Sequence, residues 1–181
     1  ACACAAAAGC GAGGSTTTVT SAGAALAFGV LLTRGLRVFL TTTSSGAGAV
    51  WEMLEDWLQT AHPEWEVHVT AVTGGLTSIN VAGPNSRTLL ERLTKGVDLS
   101  ADAFPYFSVR QGMVAGVSNC IIWRIGFTGE LSYEVHVPSG HALHVWETLL
   151  ETGADLGCAP FGVEAQRILR LEKGHYIVGQ D

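Results

Sequence analysis

The sequence has no cluster of lysine and arginine, and its first charged residue is Arg34. With 10 basic against 16 acidic residues and a formal net charge of −6, it lacks the basic stripe by which proteins track a phosphate backbone. A nucleic-acid partner is therefore not expected. No stretch reaches the roughly 20 consecutive apolar residues that a membrane-spanning helix needs. The nearest, Ala24–Leu32, is short and follows no positive charge, so it makes a poor secretory signal as well. Cysteine is sparse and scattered: Cys2, Cys4, Cys10, Cys120 and Cys158 form no CxxC pair, and Cys2 and Cys4 have no nearby histidine to complete a zinc set. That usage suits a reducing, cytoplasmic compartment better than a disulfide framework. Serine and cysteine nucleophiles lack the GxSxG or Cys–His signatures that would activate them, which leaves hydrolase chemistry unsupported.

What is present divides into two unlike parts. The 181 residues, 48% apolar and 14% charged, are a one-domain length with enough apolar material for a core. Residues 1–33, however, contain no Asp, Glu, Lys, Arg or His and are dominated by Ala, Gly, Ser, Thr and Cys. Such a stretch has too few bulky apolar groups to offset its ordering entropy. A flexible linker and a leader foreign to the fold both fit, and the lack of any motif spacing favours the leader. The expected organisation is a low-complexity leader over 1–28 and a folded part over 29–181. The start at Ala1 and the bare "VGQD" end suggest a fragment.

From Arg34 onward the pattern becomes that of an ordinary domain. "RVFLTTT" (37–43) reads as a strand, and Val50, Trp51, Leu54, Trp57 and Leu58 recur at helical spacing, which predicts a helix with its tryptophans in the core. "EVHVTAV" (66–72) alternates like a strand, and "TSINVAG" (77–83) is a further one. Pro84 opens a helix that Gly96 stops. "FSVRQGMVAG" and "CIIWRIGF" are the next strands, and 131–137 pairs back through a Thr128–Gly129–Glu130 turn. Helices follow over 139–153 and 160–174, and no repeat is visible. Interleaved strands and helices with a strand cluster in the middle predict an α+β fold, an antiparallel or mixed sheet with helices packed on one face.

The chemistry lies in "RIGFTGELSYEVHVPSG", residues 124–140. Alternation puts Leu131, Tyr133, Val135 and Val137 on one face and Ser132, Glu134 and His136 on the other. The second face is either wet, the usual fate of a polar strand face, or it lines a cleft. In a cleft, a carboxylate can accept two parallel N–H bonds from a planar heterocycle that carries an amino group beside a ring N–H. Phe127, Tyr133 and Trp123 are near enough in sequence to offer flat walls. His136, His141 and His144 raise the question of a metal. His141 and His144 sit three apart without the glutamate of an HExxH pattern, so surface positions are the simpler account and no metal site is expected.

Together "RIGFTGELSYEVHVPSG", "APFGVEAQRILRLEKGHYIVGQD" and "VFLTTTSSGAGAVWEMLEDWLQT" resemble the folate-binding domain of the sarcosine oxidase alpha subunit family, which is similar to the glycine-cleavage T-protein, an aminomethyltransferase. The resemblance covers about residues 29–181 and implies a partial T-protein-like folate-binding fold without the family's C-terminal barrel-like domain. It implies tetrahydrofolate as cofactor, with Glu134 on the pterin ring and Thr128 and Glu130 of the TGE turn at the pocket mouth. Phe127 and Tyr133 would be walls, and Gln166 stands where the T-protein proper has an arginine. Arg170 would be a structural ion-pair partner of Glu172 or Glu164.

The resemblance further implies a flavin in a neighbouring beta subunit that oxidises sarcosine, and NAD elsewhere in the holoenzyme. The folate of this domain would capture the one-carbon unit as 5,10-methylenetetrahydrofolate, positioned for attack. The family's acidic pair before "GVLLTRG" is Ala27 and Phe28 here, so no catalytic residue is assigned and the fragment is expected to be inactive alone. The alternatives are a folate-binding or scaffolding module that has lost its catalytic aspartate, and an aminomethyltransferase of the glycine-cleavage type.

Overall fold

The computed structural model describes residues 3–6, 31–32, 37–42 and 46–176. Its elements in chain order are β1 (Ala3–Ala6), β2 (Leu31–Leu32), β3 (Arg37–Val38), α1 (Ala47–Thr60), β4 (Leu76–Ala82), α2 (Ser86–Leu93), β5 (Thr94–Lys95), β6 (Val109–Val114), β7 (Val117–Trp123), β8 (Ser132–Pro138), α3 (Ala142–Thr152), β9 (Ala159–Pro160) and α4 (Val163–Lys173). A seven-stranded sheet runs in the order β5-β6-β7-β8-β4-β1-β9, and β2 and β3 pair separately. All neighbours in the large sheet are antiparallel except β1 and β9. The fold is α+β with a mixed sheet, as its pattern of elements leads one to expect.

The core forms on one face of this sheet. Ile79 and Val81 of β4, Cys120 and Ile122 of β7, and Tyr133, Val135 and Val137 of β8 alternate onto that face. There they meet Leu89 and Leu90 of α2 and Val145 and Leu149 of α3. Burial raises the Cys120 thiol pKa above its ordinary value. Gly153 ends α3 where nothing larger fits, since a Cβ there would lie 2.5 Å from the Cβ of Cys158 and 2.9 Å from the Leu149 carbonyl oxygen.

Several local expectations change in three dimensions. Residues 66–72 take no strand and stay largely exposed. α1 forms where the helical stripe predicts it, yet Trp51 is 45% and Trp57 58% exposed, so these rings are not core. The return from β7 to β8 is not a tight hairpin. Pairing ends at Trp123 and Glu134, and residues 124–131 form an irregular loop. Glu164 pairs with Arg167 at 2.9 Å, and one of the contacts of Arg170 is a bond from its Nη1 to the His175 carbonyl at 2.9 Å. Of the low-complexity leader over 1–28, only Ala3–Ala6 falls among the described residues, as strand β1; the rest lies outside them.

Candidate functional site

β8 is the fourth of seven strands and is paired along both of its edges, with β7 and β4. Every residue from Ser132 to Val137 is buried. The face that alternation marks as polar is therefore not wet: Glu134 is 7% and His136 2% exposed. Opposite Glu134 stand Asn80 on β4 and Trp123 on β7. Ile121, Trp123 and Val109 form a second small apolar cluster with Phe39, on the sheet face turned away from α2 and α3. A carboxylate held in such a place is costly unless something matches it.

The neighbours of Glu134 do not supply that match. Asn80 donates from Nδ2 to Ser132 Oγ at 2.9 Å and lies 3.4 Å from the Tyr133 carbonyl, so its amide is committed to the strand. His136 Nε2 lies 3.7 Å from Glu134 Oε2, too far for a hydrogen bond. Among the described residues this histidine is the ion-pair neighbour of Glu134, and no arginine or lysine pairs with it. The His136 ring meets Phe39 edge-on at 5.8 Å and Trp123 at 5.8 Å, and Phe39 meets Trp123 at 6.3 Å. His136 Nε2 and Trp123 Nε1 are both buried without a hydrogen-bond partner among the described residues. An unmet buried polar group costs about 1–3 kcal/mol, so a carboxylate and two such nitrogens on one sheet face are an expensive arrangement within the described residues.

The other sequence-derived site residues fall into three places. Tyr133 is on the opposite face from Glu134, fully buried in the core, and its hydroxyl accepts from Arg87 Nε at 3.0 Å. It is thus not a wall beside Glu134. Phe127, Thr128 and Glu130 lie on the 124–131 loop, with Thr128 buried, Glu130 exposed, and Gly129 at φ 85°, a left-handed conformation that glycine adopts without strain. Gln166 is buried on the inner side of α4, one turn before Arg170. The end of α4 is fastened to the loop through His175. Its ring stacks on Phe127 at 5.8 Å and its Nδ1 lies 2.7 Å from the Phe127 carbonyl. Ala27 and Phe28 lie outside the described residues.

Sequence patterning underrates three participants: Asn80, Phe39 and His175. Asn80 carried a usable signal, a polar residue inside the apolar strand "SINVAG", the same oddity that singles out Glu134. The three histidines named for a metal stay apart in role: His136 is buried in the sheet, His141 is exposed, and His144 Nε2 lies 2.9 Å from the Ala115 carbonyl. Among the described residues no group of three or more His, Cys, Asp or Glu could hold a metal ion. No helix of the described residues is long and apolar enough to cross a membrane.

Fold and site define an α+β domain that buries a carboxylate on the sheet face away from its two core helices. The model of the GCVT N-terminal domain matches residues 10–181, and the chain belongs to that family. The match runs back into the low-complexity stretch. Sarcosine oxidase subunit alpha of Corynebacterium sp. (strain P-1) is 43% identical over 145 residues, which cover 80% of this chain and 15% of that protein. An aminomethyltransferase of Halothermothrix orenii is 38% identical over 99 residues, covering 55% of this chain and 27% of the relative. The chain thus spans about 15% of the length of the curated sarcosine oxidase relatives it matches. In fold it is similar to the glycine cleavage system aminomethyltransferase T of Bartonella henselae, with a TM-score of 0.60 at 24% identity over 76% of this chain and 34% of that one. It is also similar in fold to the heterotetrameric sarcosine oxidase of Corynebacterium sp. U-96, solved with pyrrole 2-carboxylate, with a TM-score of 0.50 at 20% identity over 61% of this chain and 54% of that one.

Proposed function

We propose that this chain is a tetrahydrofolate-binding domain of a sarcosine oxidase alpha subunit, which receives the one-carbon unit of oxidised sarcosine as 5,10-methylenetetrahydrofolate. The observation that carries this reading is Glu134, a carboxylate buried in a central strand with no arginine or lysine partner among the described residues. Its two oxygens are acceptors for the amino group and adjacent ring N–H of a pterin, a charge-assisted pair of bonds that fixes orientation as well as affinity. The chain's part in the reaction is to bind and orient the folate so that its nitrogen meets the one-carbon unit. In this reading Phe127, Thr128, Glu130 and Gln166 surround the ligand from the loop and from α4. Flavin and NAD belong to other parts of a cytoplasmic assembly, the flavin to a beta subunit.

One sequence observation favours a second reading, a folate-binding module without transfer activity. The positions at which the resemblance places the family's acidic pair are Ala27 and Phe28 here. A single series tests both. Calorimetric titration with 5-formyltetrahydrofolate is expected to show saturable binding, weakened about 10–100-fold by Glu134→Gln, which turns one acceptor into a donor. Unchanged affinity in that variant overturns the assignment. Phe28→Asp or Ala27→Asp in the full assembly then separates the readings: methylene transfer gained over the parent supports a module that has lost its aspartate, and transfer already present in the parent supports the sarcosine oxidase role.

A further inference from the structure

We infer that His136 and Trp123 set the ring specificity of the Glu134 site, by offering donors to an acceptor atom that sits beside the two N–H groups held by the carboxylate. The inference rests on the folate reading above. Trp123 stands directly opposite Glu134 on β7, and His136 follows two residues on along β8, so all three share one sheet face. His136 Nε2 is 3.7 Å from Glu134 Oε2, and the His136 and Trp123 rings are 5.8 Å apart. Both Nε2 of His136 and Nε1 of Trp123 are buried and lack a hydrogen-bond partner among the described residues.

Of the side chains around them, Phe39 and Ile121 have no polar atom, and the Asn80 Nδ2 group is directed to Ser132 Oγ and the Tyr133 carbonyl. The buried Ser78, opposite His136 on β4, has a hydroxyl for which no bond to His136 Nε2 or Trp123 Nε1 forms among the described residues. The indole nitrogen can only donate, and the imidazole donates from Nε2 in the tautomer that carries its proton there. The face therefore presents an acceptor flanked by donors. Its complement is a ring edge with an amino group, a ring N–H and a carbonyl oxygen in succession, the edge of a 2-amino-4-oxopteridine. A 2,4-diamino ring has no proton on the intervening nitrogen and sets an amino group against a donor. A site whose buried polar groups are left unpaired by the wrong ligand discriminates strongly.

The test is a comparison of 5-formyltetrahydrofolate with its 4-amino-4-deoxy analogue, titrated calorimetrically into the full chain and its variants. The wild type is expected to prefer the 4-oxo ring by about tenfold or more in Kd. Trp123→Phe and His136→Leu should each lower that ratio by weakening the 4-oxo ligand alone, whereas His136→Gln, which keeps a donor, should restore part of it. Equal wild-type affinity for the two rings overturns the inference, and because this arm needs no variant it decides the matter even if one fails to fold. A preference that survives both Trp123→Phe and His136→Leu overturns it as well. Binding of the 4-oxo ring without discrimination removes this inference and leaves the folate reading standing; binding of neither ring removes both.

Discussion

Tyr133 and Glu134 are adjacent in the chain and face opposite ways, and the difference decides what each can do. The Tyr133 hydroxyl accepts from Arg87, the Arg124 guanidinium lies 5.3 Å from the centre of its ring, and Phe104 packs beside it at 5.9 Å. These partners belong to the core side, so Tyr133 is a stabilising residue with a polar tip rather than a ligand wall. Tyr133→Phe is expected to cost about 1 kcal/mol of stability, the worth of one hydrogen bond whose donor is only partly buried. It should leave the affinity for reduced folate unchanged. Glu134→Gln should show the reverse, lost affinity with little change in unfolding free energy, because among the described residues the carboxylate has only the 3.7 Å contact with His136 and no arginine or lysine depends on it. Urea unfolding and ligand titration on the two variants check the pair of outcomes, and a Tyr133→Phe variant that binds folate poorly would return that ring to the site.

Elements are legible from sequence where a local pattern and a tertiary partner agree. β4, β7 and β8 emerge from alternation because each finds a neighbour on both edges and helices over one face. "EVHVTAV" has the same alternation and no pairing partner, so it remains irregular. The stripe of α1 predicts the helix correctly, yet periodicity states only that one side is apolar and not that anything covers it. The burial of Glu134 is not legible for the same reason: alternation separates two faces, and only the folded sheet shows that β8 is central and that its residues on both faces are buried. Phe39 and His175 join the site region from distant parts of the chain, through contacts that no local pattern encodes.

Between elements, Arg92 at the end of α2 grips Asp155 beyond α3 with both guanidinium nitrogens, at 2.7 and 3.0 Å. That hydrogen bonding holds the Asp155 carboxyl below its usual range and raises Arg92. A carboxyl lowered by folding adds stability above its unfolded value and loses it as pH falls through the folded one. Asp155→Asn should therefore lower the urea midpoint slightly at neutral pH, with the gap to wild type closing in acid. Both side chains are well exposed, so added salt should shrink the gap too. A gap independent of pH would assign the effect to packing instead.

Taken together, the described surfaces place polar and apolar groups unusually on α4. Gln166 and Arg170 lie on its buried side, while Ile168, Leu169 and Leu171 face outward, Ile168 with 60% of its surface exposed. α1 adds exposed Trp51, Met53 and Trp57. Amphipathic helices of soluble domains normally show the opposite arrangement. Contiguous exposed apolar area promotes association and takes up apolar dyes. The isolated chain is expected to enhance the fluorescence of an anilinonaphthalene sulfonate dye in its native state and to associate as its concentration rises. Ile168→Glu with Leu171→Glu should reduce both, without weakening folate binding at Glu134. Light scattering and dye titration on parent and variant read the result. A parent chain that stays monomeric at every loading and takes up no dye would mean that these side chains are covered in solution, and the outward assignment of α4 would fall with them.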